Sequence, residues 1–316
     1  MNKGGCVLSG IILLLLLAML GASLYYLYIN LPAEEIKYTF GDKNINNNGV
    51  IENLVYDSSQ QFYKNMRYKS NRISYKIESA CDEKKAESIK DAFSILESKT
   101  ILEFYPSDTP DIRILCSDIA PEAGQKNHFV AGEGGPSEIL NTSLYSVILE
   151  GKISLFRDEN CRDTKIAVHE LLHALGFDHN NNPKSILYPT LNCEQTIDED
   201  IISNINKLYT PASAPDLKIV YVNATKSGKY LNFYIEVINQ GLQDASGVSL
   251  SIYSNDELAT DYDLDEIDIG VKKILSVENL KISRSSEEIS FVVDENNLVS
   301  EIFENNNRVE LRLVEE

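Results

Sequence analysis

His169, His173 and His179 stand in one short stretch, His169-Glu170-Leu171-Leu172-His173-Ala174-Leu175-Gly176-Phe177-Asp178-His179, and are three of the chain's four histidines. Imidazole nitrogens gathered in this way are ligands for a borderline metal ion, zinc before others. On a helix His169 and His173 lie one turn apart and project from the same side. Gly176 falls where a helix ends in a left-handed turn, a conformation that glycine takes without a steric penalty. That turn sends the chain back, so that His179 can supply a third nitrogen. Three protein ligands leave a fourth position for water, the arrangement of a catalytic rather than a structural zinc. The ion draws the pKa of water toward about 7 and polarises a carbonyl. Glu170, on neither the histidine side nor the apolar side, can take the water's proton and pass it to a leaving amine. These residues alone imply metal-assisted hydrolysis. The bland alternative for His169-Glu170 and His173 by themselves is a surface helix that happens to carry two histidines.

The elements that must position this set follow from hydropathy. Val168, Leu171, Leu172 and Leu175 recur at helical spacing and form a core-facing stripe. Asp163 or Thr164 can cap that helix. Upstream, Ile73 to Ile77 alternates like a strand, and Ala86, Ile89, Phe93 and Leu96 mark an amphipathic helix. Ile101 to Phe104, Ile112 to Leu115, Tyr145 to Leu149 and Ile153 to Phe156 are further strand candidates. Ala131 to Pro136 reads as a turn-rich break; it is no phosphate loop, because no Gly-Lys-Ser or Gly-Lys-Thr follows. His128 reads as a surface or supporting histidine rather than a ligand. Downstream, Thr196-Ile197-Asp198-Glu199 is a capping box for a helix bearing Ile201, Ile202, Ile205, Leu208 and Tyr209. The expected fold class is α+β, a twisted sheet with helices packed on it.

The His169 to His179 pattern resembles the signature of the metzincin zinc metallopeptidases. Ser185-Ile186-Leu187-Tyr188-Pro189 resembles the methionine turn of their matrixin branch. Leu187 stands where the family has Met; close in volume and apolar, it should still fill the base under the metal. The astacin and serralysin branches place a tyrosine ligand where this chain has Pro189, which favours matrixin-like geometry. The resemblance implies a zinc endopeptidase acting on peptide or protein substrates, with Tyr188 and Pro189 walling the pocket for the residue after the scissile bond. It also implies that one sheet edge near the cleft pairs with the substrate backbone; which segment that is stays open. The resemblance covers about 65 to 210.

Composition and flanks bound the rest. A net charge of -19 and a pI near 4.7 over 316 residues argue against nucleic acid and against an anionic membrane surface as partners. Val7 to Ile29 carries no charge and is long enough to span a bilayer, with an aromatic belt in Leu24 to Ile29. Lys3 on one side and Glu34 and Glu35 on the other would keep the amino end cytoplasmic and export the remainder. This gives a single-pass cell-membrane anchor over 1–30 with an extracellular catalytic domain; a signal peptide cut near Gly21-Ala22-Ser23 is the competing reading. Residues 31–65, with the Asn44 to Gly49 run, read as a stalk. Residues 66–210 form the peptidase-like domain. Pro211 to Pro215 reads as a linker, so a chain ending near Thr210 should still cleave short peptides. Beyond it, 211–316 alternates in short strands, an Ig-like β-sandwich. Pro215-Asp216-Leu217, Val237 to Gly241 and Asp294 to Asn307 resemble the CARDB adhesion-related domains, which implies a cell-surface or protein ligand. The carboxylates of that last stretch could hold calcium, against the alternative of a solvated acidic turn. A second reading of the whole chain is an inactive adhesion or scaffold protein with a vestigial zinc site, motivated by the sandwich and Leu187; the intact Glu170 speaks against it.

Cys81, Cys116, Cys161 and Cys193 all lie on the exported side of the anchor, whereas Cys6 does not. An even number in an oxidising compartment suggests two disulfides. Cys161 and Cys193 bracket the histidine helix and the Leu187 turn, which favours pairing them and leaves Cys81 with Cys116; zinc ligation by thiolates is the alternative. Non-reducing peptide mapping of the secreted ectodomain should recover those two pairs, and free thiols at Cys161 and Cys193 would overturn the assignment.

Overall fold

Two sheets with separate apolar cores make up the molecule, and a third, smaller apolar cluster joins them. The computed structural model describes residues 4–30, 35–40, 60–122, 130–158, 161 and 164–313. His128, Asp163 and the Asn44 to Gly49 run lie outside them. In chain order the elements are α1 (Gly4–Asn30), β1 (Glu35–Phe40), β2 (Met66–Tyr68), β3 (Arg72–Ile77), α2 (Glu83–Glu97), β4 (Glu103–Pro106), β5 (Ile112–Cys116), β6 (Gly132–Asn141) and β7 (Ser146–Leu155). Then come α3 (Lys165–Ala174), α4 (Glu199–Tyr209), β8 (Leu217–Ser227), β9 (Tyr230–Asn239), β10 (Ala245–Ser254), β11 (Glu257–Ile267), β12 (Lys272–Lys281), β13 (Glu288–Val293) and β14 (Arg308–Leu313).

The first sheet runs β2-β7-β5-β3-β4, parallel throughout, with β6 antiparallel along the other side of β7. Ile73, Ile112, Ile114 and Ile153 cover its inner face and meet Ile89, Phe93 and Leu96 of α2 and Leu171 and Leu172 of α3. The α2 helix follows its apolar period, and Asp82 caps it by accepting the Lys85 amide at 2.9 Å. Both expected disulfides form, Cys81–Cys116 and Cys161–Cys193.

Several local expectations are corrected. Ala131 to Pro136 is not a break: from Gly132 on it is strand β6, whose glycines let its backbone lie against α3. The two strand candidates between Tyr145 and Phe156 are one continuous strand, β7, through Gly151. The strand expected at Ile101 to Phe104 starts at Glu103. No capping box forms at Thr196: the N-cap of α4 is Asp198, whose carboxylate is drawn away to Ser185 and Asn182. Gln60 to Asn65, inside the segment read as a stalk, belong to the peptidase region, since Phe62 N–H donates to Gly176 O and Asp178 N–H to Gln60 O.

In the sandwich, β11-β10-β13-β14 face β8-β9-β12. Alternate residues Leu231, Phe233, Ile235 and Val237 of β9 are buried. Strand β1, also inside the expected stalk, joins the two layers: Glu35 to Lys37 pair with β8 and Tyr38 to Phe40 with β14. The closing loop is exposed from Glu295 to Leu298 and at Glu304 and Asn305, while two of its carboxylates turn inward to backbone and side-chain donors. Asp294 accepts the amides of Leu298 and Val299 at 3.1 and 2.7 Å. Glu301 accepts Asn307 Nδ2 at 3.1 Å and the Leu217 amide.

Pro211 to Pro215 is not a free linker either. Leu144, Tyr145 and Val147 of the peptidase region pack against Leu242 and Ile269 of the sandwich, so a chain ended near Thr210 would expose this cluster. The expectation of a freely separable peptidase unit is therefore withdrawn. Among the described residues no helix is long and apolar enough to cross a membrane.

Burial pushes Glu301 up to about 8, with the charge of Asp216 adding, while the Leu217 amide and Asn307 oppose. Asp216 is pushed up to about 6 by burial. A carboxyl whose folded pKa exceeds its unfolded value binds more protons when folded, so stability falls as pH rises through that window. Thermal unfolding should show the sandwich losing stability between pH values of about 4.5 and about 8. Glu301→Gln should flatten that slope even if it lowers the baseline.

Candidate metal centre

The α3 helix is buried from Ala167 to Ala174, so its polar residues have been taken out of water for a purpose other than solubility. Thr164 is its N-cap by backbone geometry, but its hydroxyl is diverted to Ser88 and donates to the Ser88 carbonyl at 3.0 Å. At the other end Gly176 adopts φ +94°, and its N–H donates to His173 O at 2.9 Å. Tyr68 O–H donates to Ala174 O at 2.9 Å and fixes the end of the helix against β2.

The reversal after Gly176 brings the three ring nitrogens together. His173 Nε2 lies 2.9 Å from His169 Nε2 and 3.2 Å from His179 Nε2, and the remaining pair is 3.3 Å apart. His169 Nδ1 is 2.6 Å from Ile186 O, and His173 Nδ1 is 2.6 Å from Phe177 O. A carbonyl only accepts, so each Nδ1 must carry the proton and each Nε2 presents a lone pair. Burial, then the neighbouring His173, holds His169 down at about 3, and burial lowers His173 too. Converging neutral lone pairs repel one another. Ligands about 2.1 Å from a tetrahedral zinc sit roughly 3.4 Å apart, close to the observed spacing. The donor set fits zinc, and the two carbonyls are the partners that orient metal-binding imidazoles.

Glu170 is 5% exposed. Burial pushes its carboxyl up to about 8 and Glu133 adds to this, while the Gly134 amide pulls it down. It opens into a cleft of about 560 Å³ that also reaches His169, His173 and His179. Phe62, Gly132 to Gly134, Pro189, Thr190 and Leu191 line that cleft. Pro189 is thus in the wall, while half-buried Tyr188 is not among the lining residues.

Leu187 is fully buried, in the same apolar core as Leu171 and Leu172 of the histidine helix. Its turn is braced by polar contacts: Asn180 Nδ2 donates to Ser185 Oγ at 2.7 Å, the Leu187 amide donates to the same oxygen at 3.1 Å, and Ser185 O–H donates to Asp198. Motif reading missed this brace, as it missed Phe62, Glu133 and the glycines of β6. The repeated glycine in Gly132-Glu133-Gly134 was the available signal, because glycine inside a strand marks close approach of another backbone.

Residues 65–210 match the family model described as Matrixin, and residues 214–311 match the one described as CARDB. Both resemblances read from the sequence are thereby met. Two curated relatives are called macrophage metalloelastase. The Rattus norvegicus protein is 46% identical over 57 residues, covering 16% of this chain and 12% of its own length. The Oryctolagus cuniculus protein is 30% identical over 136 residues, covering 39% of this chain and 28% of its own. The chain thus spans well under a third of the length of these relatives. Among solved structures, the CARDB domain of a Pyrococcus furiosus protein, crystallised in complex with di-metal ions, is 22% identical. That alignment covers 32% of this chain and 90% of the other, with a TM-score of 0.27. Matrixin and metalloelastase likeness together support a metalloendopeptidase family for the first domain.

The closeness of β6 to α3 is testable. A Cβ at Gly134 would collide with the Glu170 carbonyl oxygen, whereas at Gly135 it would meet nothing within 4 Å. Gly134→Ala should cost about 1–3 kcal/mol in thermal or denaturant unfolding and weaken zinc binding, because strand and helix must separate. Gly135→Ala should leave zinc affinity unchanged.

Proposed function

We propose that this chain is a zinc-dependent endopeptidase, held at the cell membrane by its N-terminal helix with the catalytic domain on the extracellular side. The observation that carries the reading is the convergence of three histidine Nε2 atoms, two of them tautomer-fixed, beside a buried carboxyl in one cleft. Zinc held by His169, His173 and His179 would polarise a scissile carbonyl and acidify a water molecule. Ile186 O and Phe177 O keep two of those rings oriented. The Glu170 carboxyl, next to a cation that favours its charged form, takes a proton from the water and returns it to the amine. Among the described residues β6 pairs only with β7, which leaves its other side free for an extended peptide to add as a strand. Phe62, Pro189 and Leu191 give that cleft apolar walls that limit water.

The anchor is supported by exposure: the α1 side chains from Leu13 to Tyr26 are all exposed, an apolar surface better suited to lipid than to water. The inactive scaffold reading leaves Glu170 without a reason, since a carboxyl buried beside few hydrogen-bond donors costs stability unless chemistry uses it.

Glu170→Gln should retain one zinc per chain and lose hydrolysis of a peptide library by a factor on the order of 10² to 10⁴. His173→Ala should lose both zinc and turnover. Metal analysis beside peptide cleavage decides it, and full activity in the Glu170 variant would sink the role given to that carboxyl.

A further inference from the structure

The β6–β7 hairpin is bound to the sandwich by a seam that is apolar on one side and polar on the other. Tyr145 and Val147 meet Leu242 and Ile269 in the apolar part, and the side chain of Leu140, on β6 itself, stands against Gly270. Thr142 Oγ1 donates to Gln240 O at 3.0 Å, and Ser143 O–H donates to Gln240 Oε1. Gln240 Nε2 continues the chain of bonds to Asp216 Oδ2 at 2.7 Å, and Asp216 in turn accepts the Phe303 amide at 3.3 Å. The polypeptide that joins the domains is held at the same place, with Leu242 N–H donating to Ala214 O at 2.8 Å and Ile302 N–H to Pro215 O at 2.9 Å.

Strand β6 is therefore fixed at both ends. Its first residues lie against Glu170, Gly132 at the side chain and Gly134 at the backbone, where only glycine fits. Its last residues enter the hairpin that the sandwich grips. Between them the strand is irregular, with register shifts around Pro136 and Glu138, and Pro136 can donate no ladder bond. A strand weakened in its middle takes its twist and register from its ends.

We propose that the sandwich is a positioning part of the cleft: through Thr142, Gln240 and Leu242 it fixes the hairpin and hence the free backbone edge of β6 to which a substrate would align. This builds on the peptidase reading for its functional consequence, but the clamp itself is a physical property of the full chain.

Hydrogen exchange and peptide kinetics on the zinc-loaded full chain test it, using Thr142→Val and Leu242→Ala. Amide exchange along 132–141 should quicken by about tenfold or more as local opening becomes easier. KM for a peptide long enough to lie along β6 should rise severalfold, with kcat changed by no more than about twofold, because alignment is lost while the metal and Glu170 are untouched. Thr142→Ser, which keeps the hydroxyl, should restore both. Unchanged exchange in β6, or exchange that quickens without a change in KM, overturns the proposal. Because Thr142 Oγ1 also accepts the Leu144 and Tyr145 amides within the turn, Ser143→Ala, which removes a bond to the sandwich at Gln240 Oε1, decides if Leu242→Ala does not fold: it too should quicken exchange along 132–141 and raise KM. If the wild-type chain cleaves no peptide, the peptidase reading fails, while exchange in β6 still decides whether the clamp exists.

Discussion

Neutral imidazole lone pairs directed at one point repel, and a cation placed between them turns that repulsion into binding. The molecule arranges this repulsion on purpose. Ile186 O and Phe177 O hold the protons of His169 and His173 on Nδ1, so the facing Nε2 atoms cannot become donors to one another. Phe177 follows the turn at Gly176, and Ile186 lies in the turn braced by Ser185 and Asp198. Helix, reversal and turn thus act as one frame around the site. Burying Glu170 beside it adds a further cost that a bound cation offsets. Binding energy of a metal and folding energy of this region are then coupled.

What was legible in the sequence was whatever local spacing decides. The one-turn separation of His169 and His173, the glycine that ends their helix, the alternation of β9 and the bracketing by Cys161 and Cys193 each follow from a few neighbouring residues. What was not legible depends on elements far apart in the chain. Gly132 and Gly134 look like a break because glycine has little strand propensity, and only the backbone of α3 beside them explains their place in β6. Asp198 looks like part of a capping box until Ser185, on another loop, claims its carboxylate. Phe62 sits in a polar segment with no period, and only its pairing to Gly176 brings it to the cleft.

The departure at Leu187 can be weighed in the same terms. That side chain is enclosed completely, and the positions of its neighbours are set by bonds that do not involve it. Asn180 N–H donates to the Leu187 carbonyl at 3.0 Å, a contact indifferent to the side chain. A change between residues of similar volume there alters the packing of this core by little. The substitution therefore bears on fine adjustment of the site rather than on its existence, and gives the inactive-scaffold reading little weight.

Two passages of the chain, rather than one, run between the domains. Strand β1 lies between β8 and β14 in the sandwich, yet Gln60 and Phe62 already belong to the margin of the cleft. The chain then returns to the sandwich through Pro211 to Asp216, where Arg67 Nη1 donates to Leu208 O at 2.6 Å and to Pro211 O at 3.4 Å. A single short linker with free carbonyls would leave relative domain motion as the default. Here the carbonyls at the crossing are bonded, Asp216 is buried among donors, and the apolar cluster around Tyr145 lies between the two crossings in sequence. Buried polar groups are satisfied in one arrangement and penalised in others, so they select a geometry even where they add little net stability. The Pro211 to Asp216 crossing and the polar joint together favour one orientation of the sandwich on the hairpin, and the edge of β6 inherits that orientation.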